Sequence, residues 1–424
     1  MAPEKLNVLI IGSGGREHAL ASKVAMSPRL GQLFCMPGNA GTASIAKNLD
    51  VDPSDQNAVI AAAKANQIDF TIVGPEAPLC AGIVDRFNDE GLCIFGPTKA
   101  AARLEGDKAF AKKIMTQALV PTAEARIFDK LERAKEYIAT RDTPQVVKAA
   151  GLAAGKGVIV CDEPYQALLA VEDIMGKGQF GDAGQTVVVE ERLKGPEISV
   201  LALIDDRTIY VLETAQDYKR LGDNDEGPNT GGMGAISPSP HATDSLLDQV
   251  QHEIIIPTLD GLRREGCVYR GVLYVGLMLT AGGPKVLEFN CRFGDPETQV
   301  VIPRLKSDLL ELLYACANGK LEDASIDWDD RTAVCVVMAS GGYPGNYSTG
   351  KSIEGLNTDV RDDVFVFHAG TKSHVAGTRT AGGRVLGVTA LGESAAAARE
   401  KAYQSVGKIR FDGATYRTDI AANM

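Results

Sequence analysis

The chain has 424 residues, 45% of them hydrophobic and 6% aromatic, and a formal net charge of −11. A chain of this length buries several cores, so roughly two to four domains are expected. The acidic balance excludes general binding to nucleic acid or to an anionic membrane surface, so anionic ligands would need local clusters of lysine and arginine. The eight cysteines show no C-x-x-C pairing and sit mostly in apolar runs, as reduced core residues of a cytoplasmic protein do. The five histidines are scattered, so no zinc site is visible, and no apolar run is long enough to span a bilayer.

From the amino end, strand and helix alternate. Residues 8–11 read as a buried strand, 17–25 as a helix, 32–36 as a strand, 58–65 as a helix and 70–73 as a strand. Residues 82–88 follow as a helix and 93–95 as a further strand. This alternation predicts a doubly wound parallel sheet, whose ligands sit at the carboxyl ends of the strands. The strand-end loops are Gly12-Ser13-Gly14-Gly15-Arg16-Glu17, Pro37-Gly38-Asn39-Ala40-Gly41 and Gly74-Pro75-Glu76-Ala77-Pro78. The first departs from the dinucleotide fingerprint, because Glu17 takes the sixth place, where glycine lets helix and strand pack closely. The next strand ends in Cys35-Met36-Pro37, with no acid for a ribose hydroxyl. Glycine-rich strand ends still present N–H groups to a phosphate, so a phosphorylated small molecule fits better. Tight turns alone would also account for these glycines.

From Thr98 the character changes. Asp107 is placed to cap a helix opened by Lys108, with an apolar stripe through Phe110 and Ile114. Residues 144–148 read as a strand ending on Lys148, and 151–160 as a glycine-rich hairpin loop that returns as a strand. This is no Walker loop, since Gly157 rather than Ser or Thr follows Lys156 and a strand comes next. A mobile lid over nucleotide phosphates suits it, with Lys148 a fixed charge beneath; a plain hairpin would explain the glycines but not the two lysines. Residues 187–193 form an apolar strand running into Glu190 and Glu191, able to offer backbone groups to an adenine edge and a carboxylate to a ribose. Ion-paired surface acids are the competing reading. Glu197 opens the next strand, 198–204.

Residues 272–279, the turn at 281–284 and the run from 286 form a predicted hairpin. Side chains i and i+2 share a face of a strand, so Glu288 and Asn290 point one way, and Leu287 and Phe289 the other, into a core. Two hard oxygen ligands side by side suit Mg²⁺. Arg292 then offers a planar anion clamp, with Asp295 and Glu297 as carboxylates beside the metal. After about residue 325 a third part begins, with a strand at 333–339 and glycine-rich segments at 341–345, 365–370 and 382–388. It reads as a small mixed β/α domain whose glycine turns have no assigned role.

The order of these parts, an α/β domain and then lysine helix, lysine strand, glycine loop, paired acids and Glu-x-Asn strand, resembles the ATP-grasp superfamily. Finer motifs are similar to its glycinamide ribonucleotide synthetase family: G-x-G-G-R-E-H-A-L (12–20), P-G-N-A-G-T (37–42), T-I-V-G-P-E-A-P-L (71–79) and G-L-A-A-G-K-G-V (151–158). To these are added Q-D-x-K-R (216–220), G-P-N-T-G-G-M-G-A (227–235), E-F-N-C-R-F-G-D-P-E-T-Q (288–299) and F-H-A-G-T (367–371). The likeness covers essentially the whole chain, and the ordered set is specific where any single motif is not.

The resemblance implies three parts: an α/β substrate-binding domain (1–106), an ATP-grasp domain (107–324, with a lid at about 122–195) and a mixed β/α domain (325–424). It implies a cytoplasmic ligase of purine biosynthesis that uses ATP with Mg²⁺ (or Mn²⁺) to join glycine to 5-phosphoribosylamine. The enzyme would act on these small molecules as a monomer, with neither nucleic acid nor membrane as partner. On this reading Lys108 and Lys148 hold the ATP phosphates and Gly155, Lys156 and Gly157 close over them. Glu190, Glu191, Leu193 and Glu197 hold the nucleoside, and Glu288 and Asn290 the metal. Arg292 binds the glycine carboxylate or the acyl phosphate, with Asp217 and Lys219 ordering substrate beside it. Asn229, Gly232, Met233, Asp295 and Glu297 also face substrate. Gly14, Gly15, Asn39, Ala40, Gly41 and Glu76 take the sugar phosphate side. Two departures from the family pattern stand out. Ala149-Ala150 replaces a frequent acid, and residues 271–279 lack a second metal carboxylate. A bicarbonate-activating carboxylase of the same superfamily is the alternative.

Overall fold

The computed structural model describes residues 4–153, 155–356, 361–422 and 424; Ala154 of the glycine-rich loop lies outside the described residues. The amino-terminal sheet is parallel, in the order Lys47–Asn48, Leu30–Pro37, Leu6–Gly12, Phe70–Val73, Ile94–Phe95. Alternation within the central strand decides its packing. Leu9 and Ile11 join Val59 and Ile83 on one face, whereas Val8 and Ile10 join Leu20 and Leu310 on the other. Glu17 explains the glycines at the strand ends. Its carboxylate accepts the Gly14 N–H at 2.6 Å, and a Cβ on Gly12 (φ +128°) or Gly74 would fall 2.5 or 2.1 Å from the Glu17 side chain. The acid that breaks the dinucleotide pattern therefore fills the crevice a pyrophosphate would need.

The middle of the chain builds two four-stranded antiparallel sheets. The smaller runs Ala125–Phe128, Val187–Glu191, Gln145–Ala149, Val158–Cys161 and packs on the helices Leu131–Ala139 and Pro164–Val171. The larger runs Ile209–Val211, Glu197–Asp205, Arg270–Thr280, Gly283–Asn290 and packs on Lys108–Gln117 and Ile256–Arg264. Asp107 caps the Lys108–Gln117 helix by accepting the Phe110 N–H at 3.0 Å. One detail of the hairpin differs from expectation. Gly276 pairs with Glu288 but Leu277 pairs with Val286, so Leu287 is the extra residue of a bulge. Phe289 enters the core as expected, while Leu287 stays half-buried at the wall of a cavity.

A third sheet is ordered Gln216–Asp217, Gly234–Ser237, Thr332–Ser340, Arg384–Gly392, Val364–His368, with Ala414–Thr415 paired to Thr332–Ser340. Two of its strands come from residues 216–237, which the sequence places in the middle domain. Asp217 and Lys219 thus stand on a seam between the second and third parts. All eight cysteines are free thiols.

A second seam joins the first and third parts. His18, buried on the Gly15–Val24 helix, accepts the His368 backbone N–H at its Nδ1 (2.8 Å) and meets the Phe367 ring edge-on at 5.9 Å. Burial, and then the neighbouring His368, push His18 from 6.5 down to about 3. The unfolded chain therefore binds this proton more tightly than the folded one. The stability carried by the neutral ring is present above pH 6.5 and is lost as pH falls toward 3. The melting temperature should accordingly drop more steeply from pH 7 to 5 in the wild type than in His18→Gln. Parallel slopes in thermal melts would show that this contact does not carry the acid sensitivity.

Candidate active site

A cavity of about 210 Å³ opens between the two middle sheets, beside the ends of the amino-terminal strands. Glu288 stands at its wall and receives no hydrogen bond from the described residues. Burial pushes its carboxyl upward, but Lys219, Lys148, Lys108 and Arg292 outweigh that and hold it below its ordinary value. Glu288 is thus an ionised, uncommitted hard oxygen donor. Asn290, two residues on and also bordering the cavity, adds a carbonyl oxygen that accepts one Arg292 N–H at 3.3 Å. That donor set fits Mg²⁺. Tyr274 lies across from Asn290, where the strand lacks an acid. Its hydroxyl donates to Glu297 at 2.9 Å, so a carboxylate reaches this wall from the following loop instead.

Two lysines bracket one acid, and a third lies nearby. Glu190 bridges Lys148 at 2.8 Å and Lys112 at 3.1 Å, all three buried. Lys148 also donates to the Leu287 carbonyl at 3.0 Å. Lys108 reaches the Gly151 carbonyl at 3.4 Å, and burial lowers its pKa, with Glu288 partly opposing. In the sequence alone Lys112 is not singled out; its one signal is that it lies one turn beyond Lys108 on the same helical face. Burial pushes it down to about 8 despite Glu190, and it donates to Thr122 Oγ1 at 2.7 Å. It therefore ties together the entry to the small sheet (Thr122) and its exit (Glu190).

The residues read as holding a nucleoside do not all gather here. Glu190 borders the cavity, but Glu191 turns outward to Lys285 at 2.9 Å, Leu193 lies half-buried away from the wall, and Glu197 pairs with Lys219. Gly155 and Gly157 border the cavity. Gly155 (φ +75°) has open space around it, and the Lys156 side chain is exposed.

Arg292 is held differently from expectation. It is expected to clamp an anion, with Asp295 and Glu297 beside the metal, yet its fork grips Glu105 at 2.9 Å and Glu76 at 3.3 Å. Glu105 stands in the last turn of an alanine-rich helix, Lys99–Gly106, where no local pattern marks it. It also accepts the Cys291 N–H at 2.6 Å, and burial raises its pKa. Asp295 instead lies 3.3 Å from Arg384 and accepts from Gln299 at 2.8 Å. Glu297 accepts from Tyr274 and, at 3.2 Å, from Ser199. Asp295 and Glu297 still line the cavity, as do Asp217 and Lys219. Asp217 sits 3.7 Å from Lys219 and is pushed up to about 7, chiefly by burial, with Lys219 opposing and the carboxylates of Glu297, Glu197 and Glu288 adding.

The sugar phosphate group of residues divides as well. Glu76 lines the cavity, and Gly14 backs onto Asp295, whose Oδ2 would lie 3.3 Å from a Cβ there. A Cβ on Gly15 would fall 2.6 Å from the Gln299 amide. Asn39 is a structural knot. Its amide donates to Ser13 O at 2.9 Å and His368 O at 2.8 Å, and its oxygen accepts the Gly41 and Thr42 N–H groups at 2.8 and 3.0 Å. The Gly41 carbonyl accepts from Ser44, which leaves the backbone of Ala40, outside the cavity wall, as what this loop can offer. Of the 229–234 loop, Thr230 and Gly231 reach the cavity, whereas Asn229, Gly232 and the fully buried Met233 do not.

Residues 6–105, 106–298 and 333–423 match the N, ATP-grasp (A) and C domains of phosphoribosylglycinamide synthetase. The chain is similar to the phosphoribosylamine–glycine ligase of Rhodopirellula baltica, 51% identical over 98% of this chain and 97% of that one. It is equally similar to that of Pseudomonas aeruginosa, at 51% over 98% and 97%. The crystal structure of phosphoribosylamine–glycine ligase from Thermotoga maritima has a TM-score of 0.85 at 34% identity, covering 98% of this chain and 100% of that one. A biotin carboxylase from Campylobacter jejuni shares the fold alone, with a TM-score of 0.76 at 16% identity over 97% and 92% of the two chains.

Proposed function

Because the chain belongs to the phosphoribosylglycinamide synthetase family, we propose that this cavity joins glycine to 5-phosphoribosylamine at the expense of ATP. The products are glycinamide ribonucleotide, ADP and phosphate. The observation that carries the reading is Glu288, without a hydrogen bond from the described residues, at the wall of a cavity that Lys108, Lys148, Lys219 and Arg292 also line. Such a lining suits phosphoryl transfer, where positioning and charge neutralisation do most of the work.

ATP phosphates lie against Lys108 and Lys148, the latter fixed by Glu190, and Gly155-Lys156-Gly157 folds over them. Glu288 and Asn290 hold Mg²⁺ (or Mn²⁺), which when bound neutralises phosphate charge. A glycine carboxylate oxygen attacks the γ-phosphorus, and the bond to ADP breaks with its electron pair leaving on ADP. Arg292 keeps one Nη1 hydrogen beyond its bond to the Phe293 carbonyl, and this hydrogen faces the glycyl phosphate. The amine nitrogen of phosphoribosylamine then attacks the acyl carbon, phosphate leaves, and one amine proton must go. Asp217, near neutrality and at the cavity wall, takes it. The strand-end loops around Gly14 and Glu76 face the phosphoribosyl group. The enzyme acts as a monomer on this reading, and no helix among the described residues is long and apolar enough to cross a membrane. We place the enzyme in the cytoplasm.

ADP release should require glycine and freshly generated phosphoribosylamine together, each omitted in turn. Release supported by bicarbonate without the amine would turn the assignment to a carboxylase. The lid adds a second expectation: amide exchange across 151–158 should be fast in the free protein and slowed by ATP. Equal exchange in the two states would remove the lid role.

A further inference from the structure

The glycine-rich segments of the third part, which turn chemistry alone left without a role, converge on one arginine. Gly370 and Gly382 cross so closely that a Cβ on the first would fall 2.5 Å from the Cα of the second. Gly383 lies flat against Tyr343, whose ring carbon would be 2.3 Å from a Cβ there. This packing delivers Arg384, the first residue of the Arg384–Gly392 strand, to the back of the cavity wall. Its Nη1 donates to the carbonyls of Gly231 at 2.6 Å, Asp295 at 2.8 Å and Gly232 at 3.5 Å, while Nη2 lies 3.3 Å from the Asp295 carboxylate. The Tyr343 hydroxyl accepts the Gly231 N–H at 3.0 Å. Gly231 and Asp295 border the cavity, whereas Arg384 and Tyr343 do not.

We propose that Arg384, assisted by Tyr343, is a positioning residue that locks the Thr230-Gly231 loop to Asp295 and so shapes the wall receiving the amine substrate. The inference rests on the proposed ligase reading. One nitrogen of the guanidinium holds carbonyls of two loops while the other faces the Asp295 carboxylate, a fixed two-point spacing that an ammonium lacks. Its contacts are Gly231, Gly232 and Asp295, and Asp295 in turn backs onto Gly14 of the first strand-end loop. None of them belongs to the small sheet or to the lysines facing ATP, so the donor half of the reaction lies outside its reach. The third part of the chain thereby completes the acceptor half.

Arg384→Met should lower kcat/KM for phosphoribosylamine by about ten- to a hundredfold, the scale of a small misplacement of a positioned group. ATP affinity should stay within about twofold, since a group acts only through interactions that differ between the states compared. Arg384→Lys should restore part of the loss. In the ligand-free protein, amide exchange at 231–233 should accelerate in Arg384→Met while 151–158 keeps its rate. ATP affinity falling in step with the amine parameters, or unchanged exchange at 231–233, would overturn the proposal. Should Arg384→Met fail to fold, Tyr343→Phe removes one acceptor from the same loop and should show the same pattern at about threefold. If the wild-type protein shows no amine-dependent ADP release, the ligase reading falls, and the exchange measurement still decides whether Arg384 holds the loop.

Discussion

Glu288→Gln should cut kcat by on the order of a hundredfold or more at saturating Mg²⁺, the scale seen when one preorganised electrostatic group is removed from a site. The amide keeps the shape of the side chain but withdraws the charge that Lys219, Lys148, Lys108 and Arg292 all face. The fold should survive, because these cations keep other partners. Lys148 retains Glu190, Lys219 retains Glu197, and Arg292 retains Glu105 and Glu76. A modest fall in melting temperature is expected from the excess positive charge, and Glu288→Asp should recover part of the rate at high metal concentration. Single-turnover ADP formation across a Mg²⁺ titration, with thermal melts alongside, is the measurement. An unchanged kcat at saturating metal would remove Glu288 from the metal site.

Arg292 should show the second large effect, and here catalysis and stability fall together. Lys in its place cannot span Glu76 and Glu105, which approach different nitrogens of the fork. Breaking a buried pair of this kind costs about 3–5 kcal/mol. Loss of one charge-assisted bond to the glycyl group lowers kcat/KM for glycine by roughly ten- to a hundredfold. The Arg292→Met variant adds a pH signature. Glu105 is already raised above 4.5 by burial, and without its arginine it holds a proton more tightly still in the folded state. The damage should be smallest near pH 4.5 and should grow as pH rises through the folded pKa. Thermal melts at pH 5 and 8 test this, and a deficit that is constant with pH would mean that Glu105 is not the group left uncompensated.

What the amino-acid sequence determined by itself follows local rules. The alternation of Val8 to Ile11, the Asp107 cap, the lysine-flanked hairpin from Gln145 to Cys161 and the i, i+2 pairing of Glu288 with Asn290 are set by periods of a few residues. Each stands close to where those periods place it. The departures come where partners lie far apart along the chain. Arg292 meets Glu76 at a separation of 216 residues, and among 55 acids no local pattern prefers Glu76 and Glu105 over the nearer Asp295 and Glu297. The third part of the chain sets Arg384 against Asp295 instead. The bulge at Leu287 depends on the register against Gly276 and Leu277, which one strand read alone does not contain. Lys112 becomes a site residue only once the small sheet brings Glu190 over its helix. The strands Gln216–Asp217 and Gly234–Ser237 are too short for periodicity to reveal, and it is the pairing of the first with the second and of the second with Thr332–Ser340 that sets the third part of the chain behind the cavity wall. Side-chain chemistry and spacing thus specified local elements and several of the groups that line the cavity. Long-range packing chose their partners, because a buried charge takes whichever opposite charge the fold sets within reach.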